Sequence, residues 1–172
     1  LLEYSASRLH VSAISSEGSI SLIEKAKKKG LDISCSVPLS HLLFNEDQLQ
    51  NFDTVYKTNP PLRSESDRKA LIKAVNAGII DIIHADHTPE LIENKDVEFD
   101  QANNGMTMLE TALAAYNTYL GDDISLDQLV NAMSINPRKR FDLSQPLLEE
   151  GKEFQFTLFD PNKEWIYNSS TM

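Results

Sequence analysis

A short polar segment, residues 84–90 (His-Ala-Asp-His-Thr-Pro-Glu), follows directly on an apolar run and carries side chains suited to chemistry. Carboxylate and imidazole groups can hold a metal ion, or carry a proton to and from a metal-bound water. In an extended strand, His84, Asp86 and Thr88 would lie on one face and His87 on the other. The segment therefore predicts a catalytic or metal-binding site.

The same segment also has a purely structural interpretation. In that interpretation Asp86 caps a turn, and the two histidines form hydrogen bonds inside a packed region. Short clusters of this kind are common, so spacing alone does not separate the two interpretations. Two other places could contribute to the same site: the end of a predicted strand at residues 9–14, and the proline-containing loop at residues 56–63.

The residues before the polar segment follow an alternating order of strands and helices. Strands are predicted at residues 9–14, 31–37 and 79–83, and the last is an apolar β-branched run typical of a strand covered on both faces. The intervening helices begin at the N-cap residues Ser16 and Ser64. This order predicts an α/β fold with parallel strands. Active residues of such folds gather at the C-terminal ends of strands, where residues 84–90 lie.

The second half of the chain is predicted to be mainly helical. A helix is predicted at residues 107–120, and a capping box of Ser125 and Gln128 begins another. Asn136 is predicted to cap a third helix ahead of Pro137. Residues 153–167 alternate as a β-hairpin with its turn at residues 160–162. The side chains predicted on the buried face of the first helix are Met108, Leu109, Ala112, Tyr116 and Tyr119.

Composition excludes several functional classes. The 172 residues include 26 acidic and 16 basic side chains, and the net charge of −10 argues against nucleic-acid binding. The single Cys35 excludes an internal disulfide and a cysteine zinc knuckle, and indicates a reducing, cytoplasmic setting. No apolar run is long enough to span a membrane, and no signal peptide is visible. Since the first residue is Leu1, the chain is interpreted as a piece of a longer protein.

Several stretches resemble, in the same order, motifs of the dihydroorotase family. So many ordered matches are specific, whereas one alone would be weak. The stretches are residues 59–63 for NPPLR, 66–71 for DR.AL, 78–83 and 85–89 for G.ID.IATDHAPH, 109–112 for GLETA and 149–161 for the closing L..G..ADLVLFDP.

The resemblance implies a metal-dependent TIM (β/α)8 barrel. Three parallel strands cannot close a barrel, so this chain would supply its sixth to eighth strands within residues 1–145 and part of a flanking β-domain within residues 146–172. In the family, two zinc ions hold a hydroxide that attacks the ring amide of dihydroorotate and opens it to carbamoyl aspartate. Most metal ligands would come from segments absent here. Asp86 matches the aspartate that binds metal and carries the proton, and Asn59 matches a substrate-binding asparagine.

The chain departs from the family pattern at important positions. Ala13 stands where the family has a zinc-binding histidine, and His10 is three residues away, on the opposite face of a strand. Glu90 replaces a histidine that grips the substrate carboxylate, and a carboxylate there would repel an anion. His84 replaces an alanine and is a candidate new metal ligand below Asp86. His41, in the stretch matching PHH, is interpreted as structural.

Three functional hypotheses follow from these observations. The first is an active dihydroorotase or related cyclic amidohydrolase that takes dihydroorotate or a similar small molecule. The second is a catalytically degenerate homologue, with zinc absent or reduced, that serves in binding or assembly as a homodimer or beside another enzyme of pyrimidine biosynthesis. The third is a barrel that binds a small molecule without turnover. Ala13 and Glu90 favour the second, since weakening a metal's ligand environment costs about 10–100-fold in affinity or activity.

Overall fold

The computed structural model describes residues 2–145, 148–151 and 156–168 and shows an α/β arrangement. Short parallel strands alternate with helices in the first half of the chain, and the second half is mainly helical. In chain order the elements are α1 (Leu2–Ser5), β1 (Leu9–Val11), α2 (Glu17–Lys28), β2 (Ile33–Pro38), α3 (Leu39–Leu43), two 3-10 turns (Glu46–Leu49 and Thr54–Tyr56), α4 (Glu65–Asn76), β3 (Ile82–His84), α5 (Ile92–Lys95), α6 (Ala112–Tyr119), α7 (Leu126–Val130), a π-helical segment (Asn131–Ile135) and α8 (Asn136–Arg140).

The strands are parallel neighbours in the order β1-β2-β3. Val11 aligns with Cys35 across the first pair, and Ser36 aligns with Ile82 across the second. Helix α2 connects β1 to β2, and the segment containing α4 connects β2 to β3. The predicted parallel α/β fold is therefore confirmed, with the C-terminal ends of all three strands at one edge.

The two faces of the sheet have different surroundings. Cys35 and Val37 of β2 are fully buried and join Ile83 of β3 in the apolar core. That core also contains the inward side chains of helices α2 and α4, including Ile23 and Leu71. Successive residues of a strand point to opposite faces, so the even-numbered residues of β2 and β3 face away from these helices.

The helix caps predicted at Ser16, Ser64 and Ser125 are confirmed. The Ser16 side chain accepts a hydrogen bond from the backbone N–H of Ser19, and the Ser64 side chain accepts one from that of Asp67. Ser125 forms the predicted capping box with its third helical residue. These caps use neighbouring residues only, so the local sequence is sufficient to specify them.

The strands are shorter than predicted, and β2 and β3 also begin later. Strand β1 ends at Val11 instead of residue 14, and β3 is Ile82–His84 instead of residues 79–83. The N–H groups of Ile79 and Ile80 both donate to the carbonyl of Ala74, at 2.9 and 3.2 Å. Those two residues close the C-terminus of α4, so their N–H groups do not pair with a neighbouring strand.

The helix predicted at residues 107–120 begins only at Ala112. Met108 and Tyr116 are buried as predicted, but Leu109 and Tyr119 are 64% and 70% exposed, which is a correction. The backbone N–H groups of residues 108 and 109 both donate to the Nδ1 atom of His87. This tertiary contact holds the first residues of the predicted helix in a non-helical conformation.

Asn136 does not cap a new helix, and that prediction is wrong. It has helical dihedral angles, and α7, the π-helical segment and α8 form one continuous helical run. The Asn136 side chain instead donates to the backbone carbonyl of Asp81 at 2.8 Å. Pro137 lies directly after the wider π-helical turn, where the regular helical bonding pattern is already interrupted.

The C-terminal residues include the predicted turn but not the predicted strands. The N–H of Asn162 donates to the carboxylate of Asp160 at 3.0 Å, as in a turn. The described residues 156–168 lie in no strand, so the hairpin prediction is corrected there, and Phe154 lies outside the described residues. Asn117 donates to the carbonyl of Pro161, which ties this segment to α6. The division into residues 1–145 and 146–172 stays a prediction.

The helices of the described ranges are too short or too polar to cross a lipid bilayer.

Candidate functional site

The sheet face opposite α2 and α4 carries polar side chains. His10 of β1 aligns with Ser34 of β2, and its Nδ1 atom lies 2.7 Å from the Ser34 hydroxyl. Further along the strands, Ser36 of β2 aligns with Ile82 of β3, two residues before His84. Since aligned residues of parallel strands share a face, these side chains form one surface, which we call the polar face.

Asp86 lies beyond the end of β3, at the edge towards which all three strands run. Its φ angle is 51°, in the left-handed region, so the strand alternation predicted through Asp86 and Thr88 stops at His84. The Asp86 carboxylate is about one-third exposed and lies 3.8 Å from the Nδ1 atom of His84. The sequence therefore predicted correctly that the Asp86 and His84 side chains are neighbours. It predicted wrongly that the strand continues through Asp86.

His84 is held in an unusual state for a polar side chain. Its Nε2 atom is buried and has no hydrogen-bond partner among the described residues. Burial lowers the pKa of His84 below the ordinary imidazole value, and the neighbouring Asp86 carboxylate offsets part of that effect. Most buried polar atoms in proteins have a partner, so an unpartnered imidazole nitrogen is unusual.

Ala13 occupies the position in β1 that corresponds to Asp86 in β3. Each lies two residues beyond the end of its strand, and each has a left-handed backbone, with φ of 55° at Ala13. The Ala13 N–H donates to the Ser36 hydroxyl at 3.2 Å. The backbone at position 13 is thus built like that of a site residue, although alanine offers no ligand atom.

The His87 ring contacts the backbone of a later segment of the chain. Its Nδ1 atom accepts hydrogen bonds from the backbone N–H groups of Met108 and Leu109, at 3.2 and 3.1 Å. The backbone of His87 also bridges to that of Met106. This contact between distant residues gave no signal in the sequence, and it fixes the course of the loop after Asp86.

Glu90 is tied to its own loop by two amide side chains. Its Oε2 atom accepts from Asn94 at 2.9 Å and from Asn103 at 3.1 Å. The bonds from Asn103 and Asn94 lower the pKa of the Glu90 carboxyl below its ordinary value. Glu90 is therefore an ionised carboxylate with a fixed position, four residues after Asp86.

The loop containing Asn59 passes close to the same region. Asn59 is exposed, and the following Pro60 carbonyl accepts hydrogen bonds from Thr58 at 2.8 Å and from the His41 ring at 3.1 Å. His41 is almost fully buried and close enough to Asp86 for that charge to influence its pKa, which burial lowers. His41 thus has the contacts expected of a structural residue, and it links the Asn59 loop to the end of β3.

Two lysines that the sequence interpretation overlooked join the Asn59 loop to the loop after Asp86. The ammonium group of Lys57 donates to the carbonyls of Phe99 and Ala102, both at 2.6 Å. The ammonium group of Lys95 donates to the carbonyl of Thr54 at 2.8 Å. Both loops are therefore held together by charge-assisted hydrogen bonds, which are about twice as strong as neutral ones.

Gly105 allows these loops to pack closely. Its φ angle is 148°, its N–H donates to the Lys57 carbonyl at 2.9 Å, and a Cβ atom there would overlap the carbonyl oxygen of Thr88. We expect Gly105→Ala to lower the free energy of unfolding by about 1–3 kcal/mol, because backbone must move to admit the methyl group. Urea denaturation measures this change.

Gly78→Ala is the matched control for this substitution. Gly78 also has a positive φ, of 69°, but nothing lies within 4 Å of the added Cβ atom. It should lose only the left-handed backbone preference, about 1 kcal/mol. Equal losses of unfolding free energy in the two variants would show that the backbone around Gly105 moves to admit the methyl group at little cost.

A comparison of the sequence with known protein families decides the family. The profile of the Amidohydrolase family matches residues 6–172. The chain belongs to the amidohydrolase family. Curated relatives of this amidohydrolase chain include the dihydroorotases of Acetivibrio thermocellus, 37% identical over 168 residues, and of Aquifex aeolicus, 39% identical over 173 residues. These alignments cover 96% and 99% of this chain but only 39% and 40% of the relatives, so the chain spans about two fifths of their length.

Solved structures confirm the fold. The L-hydantoinase (dihydropyrimidinase) from Arthrobacter aurescens matches with a TM-score of 0.77 and 28% identity, over 81% of this chain and 32% of that protein. The inactive dihydroorotase-like domain of the Chaetomium thermophilum CAD-like multifunctional protein matches with a TM-score of 0.61 and 25% identity, over 81% of this chain and 38% of that one. The chain therefore has the fold of a fragment of the amidohydrolase TIM barrel.

The described residues of this amidohydrolase chain contain only part of any metal site. Within the described ranges, no three His, Cys, Asp or Glu side chains converge as metal ligands would. Asp86 and His84 are two donors of suitable chemistry, since carboxylate oxygen and neutral imidazole nitrogen both bind zinc. Further ligands would have to come from beyond the described residues.

Proposed function

We propose that the intact protein is a metal-dependent cyclic amidohydrolase that opens the ring amide of dihydroorotate, or closes it in reverse, in pyrimidine biosynthesis. The observation that carries the proposal is the Asp86 carboxylate, which is partly exposed beyond β3 at the C-terminal edge of the sheet. Similarity to dihydroorotases at 37–39% identity supports this substrate class. The buried free thiol of Cys35 accords with a reducing, cytoplasmic setting.

In this proposal Asp86 carries the proton. A zinc ion bound by Asp86 and by ligands from elsewhere in the protein would make water acidic enough to act at neutral pH. Asp86 would accept a proton from the attacking water and return it to the ring nitrogen when the C–N bond breaks. Asn59, exposed on the neighbouring loop, offers both a donor and an acceptor to the ring.

A second candidate is a catalytically degenerate homologue kept for binding or assembly. Ala13 offers no ligand atom at a position whose backbone matches that of Asp86, and Glu90 places a fixed negative charge near the site. The likeness to an inactive dihydroorotase-like domain of a multifunctional protein supports this candidate, with a homodimer or another enzyme of the pathway as partner. For these reasons we expect the proposed ring hydrolysis to be slow.

Metal content and turnover of the intact protein separate the two candidates. Stoichiometric zinc, measured by plasma mass spectrometry, together with dihydroorotate hydrolysis would reject the degenerate candidate. Zinc-free protein that gives no turnover, even after zinc is added, would reject the first. A preparation treated with a chelator and reloaded with zinc is the control, because activity that returns with the metal belongs to the metal site.

A further inference from the structure

We propose that Lys57 is a positioning residue that fixes Asn59 beside the loop after Asp86, so that the Asn59 side chain is held in place for the substrate ring. This inference rests on the proposed ring-amide activity and deepens it, because it assigns a role to a side chain outside the reacting groups. Lys57 touches no reacting atom in this role. It acts through the backbone of its own loop.

The ammonium group of Lys57 uses all its hydrogen-bonding capacity within the chain. It donates to the backbone carbonyls of Phe99, Asp100 and Ala102, at 2.6, 3.1 and 2.6 Å. An ammonium group has three donors and no acceptor, so three carbonyl partners satisfy it completely. The group also lies 5.2 Å from the centre of the Phe99 ring, a favourable position for a cation. Lys57 is therefore not free to bind an anionic substrate itself.

The three carbonyls belong to a single helical turn at residues 98–102. The N–H groups of Gln101 and Ala102 both donate to the carbonyl of Glu98, at 2.9 and 3.0 Å. The last carbonyls of such a turn have no partner within it, and a lysine side chain can supply one. Lys57 thus binds the open end of a turn that lies 42 to 45 residues later in the chain.

Backbone hydrogen bonds continue from Lys57 to the neighbours of Asp86. The carbonyl of Lys57 accepts from the N–H of Gly105 at 2.9 Å, and the carbonyl of Met106 accepts from the N–H of Thr88 at 3.0 Å. Gly105 and Met106 are adjacent, so two hydrogen bonds link Lys57 to a residue two positions after Asp86. The two loops are therefore held in a fixed relation at this point.

Asn59 lies between two anchored positions. Lys57 precedes it by two residues, and Thr58, between them, is buried. The carbonyl of Pro60 accepts from the Thr58 hydroxyl at 2.8 Å and from the His41 ring at 3.1 Å. Asn59 itself is exposed, so its side chain can meet a ligand without the entropy cost of ordering a loop. Releasing the anchor at Lys57 would add that cost to substrate binding.

A double-mutant cycle on the intact protein tests the inference, with the KM for dihydroorotate as the readout. Lys57→Met keeps a long apolar side chain and removes the donors. It should raise KM by about 3–10-fold, as the loss of one hydrogen bond would, and leave kcat nearly unchanged because the reacting groups are untouched. In an Asn59→Ala background the same substitution should have almost no further effect, because the residue through which it acts is gone.

Lys27→Met is the matched control. The Lys27 ammonium group donates to the carbonyl of Ile79 at 2.8 Å and to the carboxylate of Asp81 at 2.7 Å, at the opposite end of β3 from Asp86. Its removal should lower stability but leave KM at the wild-type value, with or without Asn59→Ala. An equal rise in KM for Lys27→Met and Lys57→Met would show that lost stability is the cause, and would overturn the inference.

The possible outcomes separate positioning from the proposed function. If the effects of Lys57→Met and Asn59→Ala on KM multiply, or if neither changes KM, the positioning role is overturned and the proposed function stands. If the protein does not hydrolyse the ring, the Kd for dihydroorotate, measured by calorimetry, gives the same cycle. Coupling in that Kd would support positioning and overturn the activity. A wild-type protein that neither binds nor hydrolyses dihydroorotate overturns both. Lys57→Gln, which has two weaker donors on a shorter side chain, replaces the methionine variant if circular dichroism shows that the latter does not fold.

Discussion

Replacing Asp86 by asparagine should lower kcat for ring opening of dihydroorotate by about 10²–10⁴-fold, the range that general acid–base catalysis contributes. Asparagine keeps the size of the side chain but cannot carry the proton. It also accepts the φ of 51° at this position, since asparagine tolerates a left-handed backbone. The loss should therefore appear in kcat with the protein still folded, as measured by steady-state kinetics and thermal denaturation.

Asp142→Asn is the matched control for this substitution. Asp142 has the same backbone conformation, with φ of 55°, but it lies at the end of α8, where it pairs with Arg8 on the surface. Its replacement should leave kcat unchanged. A kcat for Asp86→Asn equal to that of this control would remove Asp86 from the proposed proton transfer.

The local sequence was sufficient to predict the order of the elements. Helices α2 and α4 begin at Ser16 and Ser64 as predicted, because a cap depends on residues within one turn of it. Element boundaries that depend on distant contacts were not predictable in this way. Met108 and Leu109 leave the helical conformation because their N–H groups bond to His87, about twenty residues earlier in the chain.

In the candidate site, too, some features follow from the local sequence and others depend on distant contacts. The sequence places Asp86 and His84 beside each other, and a parallel sheet brings them to the C-terminal edge of the strands. It did not show that Asp86 is left-handed, that the Nε2 atom of His84 is unpartnered, or that Lys57 and Lys95 hold two loops together. Each of these facts depends on which backbone atoms other segments place nearby, and short-range patterns carry no such information.

The backbone at the two strand ends connects the fold with the proposed chemistry. A left-handed conformation costs an alanine about 1–2 kcal/mol, so Ala13 has the conformation of a site residue without its ligand atom. The surrounding bonds maintain that conformation, since the N–H groups of Ala13 and Ile14 both donate to Ser36. These bonds keep the backbone of Ala13 in the same left-handed region as that of Asp86.

Glu90→His should make the protein prefer a ring that carries a carboxylate. Dihydroorotate and dihydrouracil provide a matched pair, because they differ only in that anionic group. The fixed charge of Glu90 opposes the anion, whereas a histidine could donate a hydrogen bond to it, and bonds to charged groups contribute about 1.5–3 kcal/mol. We therefore expect the KM for dihydroorotate to fall by about 10–150-fold, with little change for dihydrouracil.

Two further variants identify the cause of that change. Glu90→Gln removes the charge and keeps an oxygen that can accept from Asn94 and Asn103, so it should give part of the gain through lost repulsion alone. Glu93→Gln removes an exposed charge from the same loop and should leave both KM values near wild type. If Glu93→Gln matched Glu90→Gln, the general negative charge of the loop would explain the effect. If Glu90→His changed both substrates equally, the residue would act by ordering the loop and not by contact with the carboxylate. Only a selective change, largest with histidine, assigns position 90 to substrate recognition.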